Sequence, residues 1–120
     1  MIAVDTNILV AFHRLEYDHH SVAVEVVTAL AEGTTPWGIP WPCAHEFMAV
    51  VTNPRIFIHP TEIAVAVAVL DAVMKSPTVR MLGEGPAYWS SLRRLLLESK
   101  VSGARVHDAR IAAICLDHRV

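Results

Sequence analysis

Three carboxylates stand where the pattern of the chain changes from one element to the next. Asp5 ends the apolar run Met1-Ile2-Ala3-Val4 and is followed by Thr6 and Asn7. Glu46 lies early in the pattern opened by Pro42, and Asp108 stands where the last apolar periodicity begins. Acids at such points have two readings. Asp, Thr and Asn are good N-caps, so each acid can simply begin a helix. Alternatively, three helix N-termini, each carrying about half a positive charge, meet at one edge of a sheet and gather the acids into a pocket. Crowded carboxylates repel, and a hard dication such as Mg²⁺ or Mn²⁺ removes the conflict through oxygen ligands. Such an ion lowers the pKa of bound water, orients it in line and holds phosphate oxygens. Spacing alone leaves both readings open.

The elements around the acids favour a sheet edge. The four apolar residues at the start read as a strand buried on both faces, which would deliver Asp5 to its carboxyl end, where open α/β sheets keep their sites. A short helix follows over about residues 7–15, with Ile8, Leu9, Phe12 and Leu15 at helical spacing. Ser21 caps a second helix whose apolar face is Val22, Val26 and Leu30 and which ends at Gly33. Trp37, Ile39 and Trp41 alternate among Pro36, Pro40 and Pro42, giving a strand with few ladder bonds. Pro42 opens a helix with Phe47, Val50 and Val51 inward, stopping near Asn53-Pro54. Residues 61–75 form the clearest helix, with Ile63, Val67, Leu70 and Met74 on its buried side. A strand at residues 79–82, a turn to Pro86, a helix carrying Tyr88, Leu92, Leu95 and Ser99, and a last helix begun by Asp108 complete the chain. Strands and helices alternate, the pattern of an α/β three-layer sandwich with a short parallel sheet between helices.

Composition sets limits. The 120 residues make one domain over 1–120, and 53% apolar against 18% charged residues argues against disorder. The longest apolar run, residues 63–70, is far short of the roughly 20 needed to cross a bilayer, so no membrane association is expected, and with no basic start no secretory signal is expected. Cys43 and Cys115 lack metal spacing and suggest reduced thiols in a cytoplasmic protein. A net charge of −2 does not advertise a nucleic-acid binder, although eight of the ten cationic side chains are Arg, the one best matched to phosphate.

The motifs Val4-Asp5-Thr6-Asn7, Pro42-Cys43-Ala44-His45-Glu46-Phe47 and Val106-His107-Asp108-Ala109-Arg110-Ile111-Ala112-Ala113 resemble, in order and separation, the three acidic motifs of PIN-domain ribonucleases. Together with Asn53-Pro54-Arg55-Ile56-Phe57, Leu82-Gly83-Glu84-Gly85-Pro86 and Trp89, they are most similar to the VapC toxins of toxin–antitoxin pairs. The resemblance covers essentially the whole chain. It implies that Asp5, Glu46 and Asp108 are catalytic, metal-binding acids, with Thr6 or Asn7 as helper. It implies Mg²⁺- or Mn²⁺-dependent cleavage of RNA by activated water, leaving a 5′-phosphate. The implied partners are a second copy of the chain, as a homodimer, and a cognate antitoxin whose tail plugs the acidic pocket. Such toxins continue into a further strand and a fourth acid, whereas this sequence ends at Leu116-Asp117-His118-Arg119-Val120. Asp117 does not replace that acid, because nine residues on one helix carry it about 13 Å past Asp108. One ion, held by Asp5 and Asp108 with Glu46 close, and an unpaired sheet edge open to association are therefore expected.

Other readings compete. A zinc site at His19-His20 lacks partners at zinc spacing. His45 and His107 adjoin acids but point about 100° away from them on a helix, which suits a rim. Arg110 should face away from Asp108 and meet RNA backbone or nothing. Met48 and Trp89 read as core, and the pair Trp37 and Trp41 as buried packing rather than a partner surface. A phosphoacceptor receiver domain needs an Asp ending a middle strand, and none lies between Asp18 and Asp71. A catalytically impaired PIN fold that only binds an antitoxin is the remaining alternative.

Overall fold

The structure, a computed structural model, describes all residues from Met1 to Val120. Its elements run in the order β1 (Ile2–Ala3), α1 (Thr6–His13), α2 (His20–Glu32), β2 (Trp37–Pro40), α3 (Trp41–Val51), α4 (Ile63–Met74), β3 (Val79–Leu82), α5 (Tyr88–Ser99) and α6 (Arg105–Asp117). The three strands form one parallel sheet in the order β1-β2-β3, flanked by the six helices. The three-layer α/β reading therefore holds. No helix is long and apolar enough to cross a membrane.

The centre of the sheet is β2, not β1. Trp37 pairs with Ile2 on one side and Val79 on the other, and all four β2 residues are buried. Its prolines do not limit it, because Pro36 precedes the strand and Pro40 closes it at the start of α3. The expectation that residues 1–4 are buried on both faces fails for β1, which pairs on one side only. Met1 and Ile2 are exposed, and only Val4, fastened by its N–H to the Gly38 carbonyl at 2.9 Å, enters the core.

Alternation along β2 divides the interior. Trp37 and Ile39 join the main core with Leu9 and Val10 of α1, Val27 of α2, Phe47 and Val51 of α3, and Ala66, Leu70 and Val73 of α4. Gly38 and Pro40 look to the opposite face, where α6 packs on β2. A Cβ added at Gly38 would lie 2.6 Å from Leu82 Cδ1 and 3.0 Å from Cγ, so glycine is required for β2 and β3 to lie side by side here.

Several helix faces differ from the sequence reading. In α2, Ala23 and Val27 are buried while Val22 and Val26 are exposed, and the cap is His19, without a side-chain bond, rather than Ser21. In α4 the buried residues are Ala66, Leu70 and Val73, while Ile63 and Val67 face outward. α4 is apolar nearly all round, with Asp71 its one polar residue, so periodicity had no polar face from which to fix its rotation. In α2, by contrast, the exposed stripe Ser21, Glu25, Thr28 and Glu32 lies opposite the buried Ala23 and Val27. Leu15 falls beyond the end of α1 and is exposed.

A polar clasp ties the end of α1 to the segment before α4. The Thr61 hydroxyl lies 2.9 Å from His13 Nε2 and accepts from Arg14 Nη1 at 3.0 Å. Arg14 also donates to the His59 carbonyl, pairs with Glu16 and lies over the Phe57 ring. Burial, aided by the Arg14 charge and opposed by Glu16, lowers the His13 pKa from its ordinary 6.5.

Two predictions follow from this packing. Gly38→Ala should cost about 1–3 kcal/mol in urea unfolding, and adding Leu82→Val should cost less than the two single changes summed. Because folding lowers the His13 pKa, the unfolded chain takes up this proton first as pH falls. Stability held above pH 6.5 should therefore decline below it. Urea midpoints at pH 7.5 and 5.5 should differ less in His13→Gln than in the wild type.

Candidate active site

Parallel strands end at one edge of the sheet, and the chain places its chemistry there. Asp5 leaves β1 in extended backbone and caps α1, its Oδ1 accepting the Ile8 N–H at 3.1 Å. Asp5 therefore caps a helix just past the end of a strand. Capping occupies Oδ1 and leaves Oδ2 without a partner.

Thr6, only 8% exposed, donates from its hydroxyl to Glu46 Oε2 at 3.3 Å, a long bond that joins the start of α1 to α3. Glu46 Oε1 remains free. The Cys43 thiol lies inside this junction. Burial pushes its pKa up, contacts with Thr6 pull it down, and the charges of Asp5 and Glu46 push it up again. Both acids thus act on one buried sulfur, and the thiol stays protonated, unsuited to be a nucleophile.

Glu46 and Asp108 line one open cleft of about 540 Å³ between α3 and the first half of α6, with His45, Arg105, His107 and Arg110 around them. His45 and His107 take the expected rim positions. Two expectations about the acids need correction. Glu46 is the sixth residue of α3, not in its first turn, so the partial charge of the helix end reaches it weakly. Asp108 is the fourth residue of α6, which begins at Arg105, because Ala104 and Arg105 continue the helical backbone ahead of it. Asp5 does not line this cleft, and Asn7, exposed beside it, has no side-chain partner.

Arg110 also departs from expectation. Instead of facing away from the site, it lines the cleft and is bound to Glu84, its Nε and Nη2 each 2.7 Å from Oε1. His118 Nε2 lies 2.9 Å from the Gly83 carbonyl, and Asp117 reaches the same loop, where a Cβ at Gly85 would come within 2.6 Å of its Oδ2. These contacts hold α6 against the loop after β3 and so fix where Asp108 stands. Trp89, expected in the core, is 63% exposed; Trp37 is fully buried, but Trp41 is 42% exposed beside the cleft. Met48 packs against the core as expected.

The only ion pairs are Arg14 with Glu16 and Arg110 with Glu84, so none of Asp5, Glu46 and Asp108 is neutralised by a cation of the protein. The donors here are carboxylate and hydroxyl oxygens, the set that a hard dication takes. Donor chemistry therefore fits Mg²⁺ or Mn²⁺. No three His, Cys, Asp or Glu side chains stand close enough together to enclose an ion as arranged, and this includes His19 and His20.

A short parallel α/β sheet flanked by helices, with Glu46 and Asp108 facing one cleft, has the architecture of a PIN-like domain. Comparison with known proteins agrees. A VapC ribonuclease of Mycobacterium bovis is 32% identical over 118 residues, spanning 98% of this chain and 80% of its own length. Ribonuclease VapC31 of Mycobacterium tuberculosis is 32% identical over 118 residues, spanning 98% of this chain and 83% of its own. The crystal structure of Mycobacterium tuberculosis VapC20, described as a sarcin–ricin loop cleaving toxin, matches in fold with a TM-score of 0.69. That match covers 100% of this chain and 85% of VapC20 at 18% identity. No family model matches the sequence. The chain belongs to the VapC ribonucleases.

The Thr6 contact yields a prediction. Thr6→Val keeps the shape but removes the donor, and should cost about 1 kcal/mol in thermal unfolding. Thr6→Ser, which keeps the hydroxyl, should recover at least half of that.

Proposed function

We propose that this VapC ribonuclease is the toxin of a toxin–antitoxin pair and an endoribonuclease dependent on Mg²⁺ or Mn²⁺, with Asp5, Glu46 and Asp108 holding the ion. The observation that carries this reading is the unneutralised pair Glu46 and Asp108 facing one cleft, with Glu46 tied through Thr6 to the helix that Asp5 caps. When bound, a hard dication would lower the pKa of a coordinated water and offset the charge of a phosphate.

The chain's own residues do the rest by placement. Asp5 is held by the Ile8 amide, so its free oxygen keeps a fixed direction. Thr6 restrains Glu46 in the same way through one oxygen and leaves the other for ligation. The Arg110–Glu84 pair and His118 steady α6, and with it Asp108. In the overall reaction water adds to phosphorus and the bond to the 3′ oxygen breaks. The 3′ oxygen leaves with a proton, and a 5′-phosphate remains. The carboxylates facing the cleft are the groups placed to receive the proton that water releases.

The same reading gives RNA as substrate and a cognate antitoxin as partner, with the chain acting as a homodimer in the cytoplasm. Support comes from the relatives named ribonucleases, from the fold shared with a toxin, and from the lack of any helix able to span a membrane.

The test is a nuclease assay with Mn²⁺ comparing the wild type with Asp5→Asn, Glu46→Gln and Asp108→Asn. Each variant should lose cleavage about 100-fold or more while melting near the wild-type temperature, and EDTA should abolish wild-type activity. Equal cleavage by wild type and Asp5→Asn would point to a contaminating nuclease. No cleavage by any of them would leave a PIN fold that only binds its antitoxin.

A further inference from the structure

The cleft and the turn of α3 beside it carry two features that take no part in holding the acids. The first is aromatic. Trp41, the first residue of α3, is 42% exposed, and its indole lies against the His45 ring with centroids 6.3 Å apart and planes tilted by 54°. Positions 41 and 45 are one helical turn apart, as are 42 and 46, so the aromatic pair runs beside Pro42 and Glu46 toward the cleft. The turn at Gly83 passes near one indole edge, where an added Cβ would lie 3.6 Å from Trp41 Cδ1.

The second feature is a free cation. Arg105, the first residue of α6, stands one turn before Asp108 and lines the cleft. Arg110 is committed to Glu84, but Arg105 is exposed and makes no ion pair or hydrogen bond. An unneutralised guanidinium beside two unneutralised acids suits a ligand that brings negative charge past them. An exposed tryptophan tilted against a histidine leaves an indole face open to a planar ring.

We propose that this wall binds one nucleotide of single-stranded RNA, with a base stacked on Trp41 and His45 and an adjacent phosphate paired with Arg105. The inference rests on the ribonuclease reading and adds to it how the substrate is held. Single strands fit because bases in a duplex are already stacked on one another and turn no face outward, whereas an unpaired base offers its whole face. Stacking tolerates any base, so the pair would anchor RNA without choosing its sequence. A guanidinium free of protein partners can meet phosphate oxygens in paired fashion, which sets register along the strand.

The experiment measures binding of a fluorescein-labelled, unstructured 12-nucleotide RNA of mixed sequence to the Asp5→Asn chain in EDTA, with a gel confirming that the RNA stays intact. Trp41→Ala should weaken binding roughly 5- to 150-fold, the range for one lost base–aromatic stack, while Trp41→Phe should restore most of it. Arg105→Ala should lower the slope of log affinity against log salt by about 0.7, one phosphate contact on a single strand. Trp89→Ala, exposed on α5 and touching neither the cleft lining nor His45, should bind as the parent does. Unchanged affinity in Trp41→Ala and an unchanged salt slope in Arg105→Ala, with the parent binding RNA and the wild type cutting it, would overturn this inference and leave the ribonuclease reading standing. A wild type that neither binds nor cuts RNA would overturn both.

Discussion

Three parallel strands joined by helical connections must all end at the same edge of their sheet, and the rest of this molecule depends on that constraint. It brings residues about forty and then about sixty positions apart in sequence toward one edge of the sheet without any local signal linking them. Asp5 leaves β1 there, α3 carries Glu46 away from the end of β2, and the loop after β3 receives α6 and with it Asp108. Glu46 and Asp108 face one cleft, and no arginine or lysine of the protein pairs with any of the three acids. The cations nearby are either committed elsewhere, as Arg110 is to Glu84, or unpaired, as Arg105 is.

That arrangement separates placing the acids from neutralising them. Placement comes from neutral or remote contacts: the Ile8 amide on Asp5, the Thr6 hydroxyl on Glu46, and the Gly83 carbonyl and Glu84 on α6. The nearest thiol, Cys43, is kept protonated by burial and by the acids themselves. The charge at the site is left for something from outside the chain, and under the proposed function that is a dication together with a phosphate.

Much of this was legible in the sequence. The β-α alternation, the strand ending in Asp5, the helix opened by Pro42 and the short strand at 79–82 all follow from runs of apolar residues and their punctuation. What was not legible has physical causes. Which strand lies at the centre depends on pairing partners, and pairing is nonlocal, so the apolar start looked central while proline-flanked β2 took that place. The face of α4 could not be read because valine and alanine surround the helix. That of α2 was legible from the polar stripe Ser21, Glu25, Thr28 and Glu32 and was set one residue off by following the valines. Arg110 was expected to turn away from the site by helical angle alone, and Glu84, 26 residues earlier, pulls it in. Trp41 and Trp89 looked like core because their size suggests burial, yet position in the fold left both at the surface. Thr6 was named as a helper, but only the folded chain shows that it reaches across to Glu46.

The account comes down to whether side chains from β1, α3 and α6 serve one ion. The most direct measurement is an anomalous-difference map from crystals of the protein soaked in Mn²⁺. A single strong peak in contact with carboxylate oxygens of Asp5, Glu46 and Asp108 is the predicted result. A peak held by other residues, or Mn²⁺ absent from the cleft while the three acids stay apart, would contradict it.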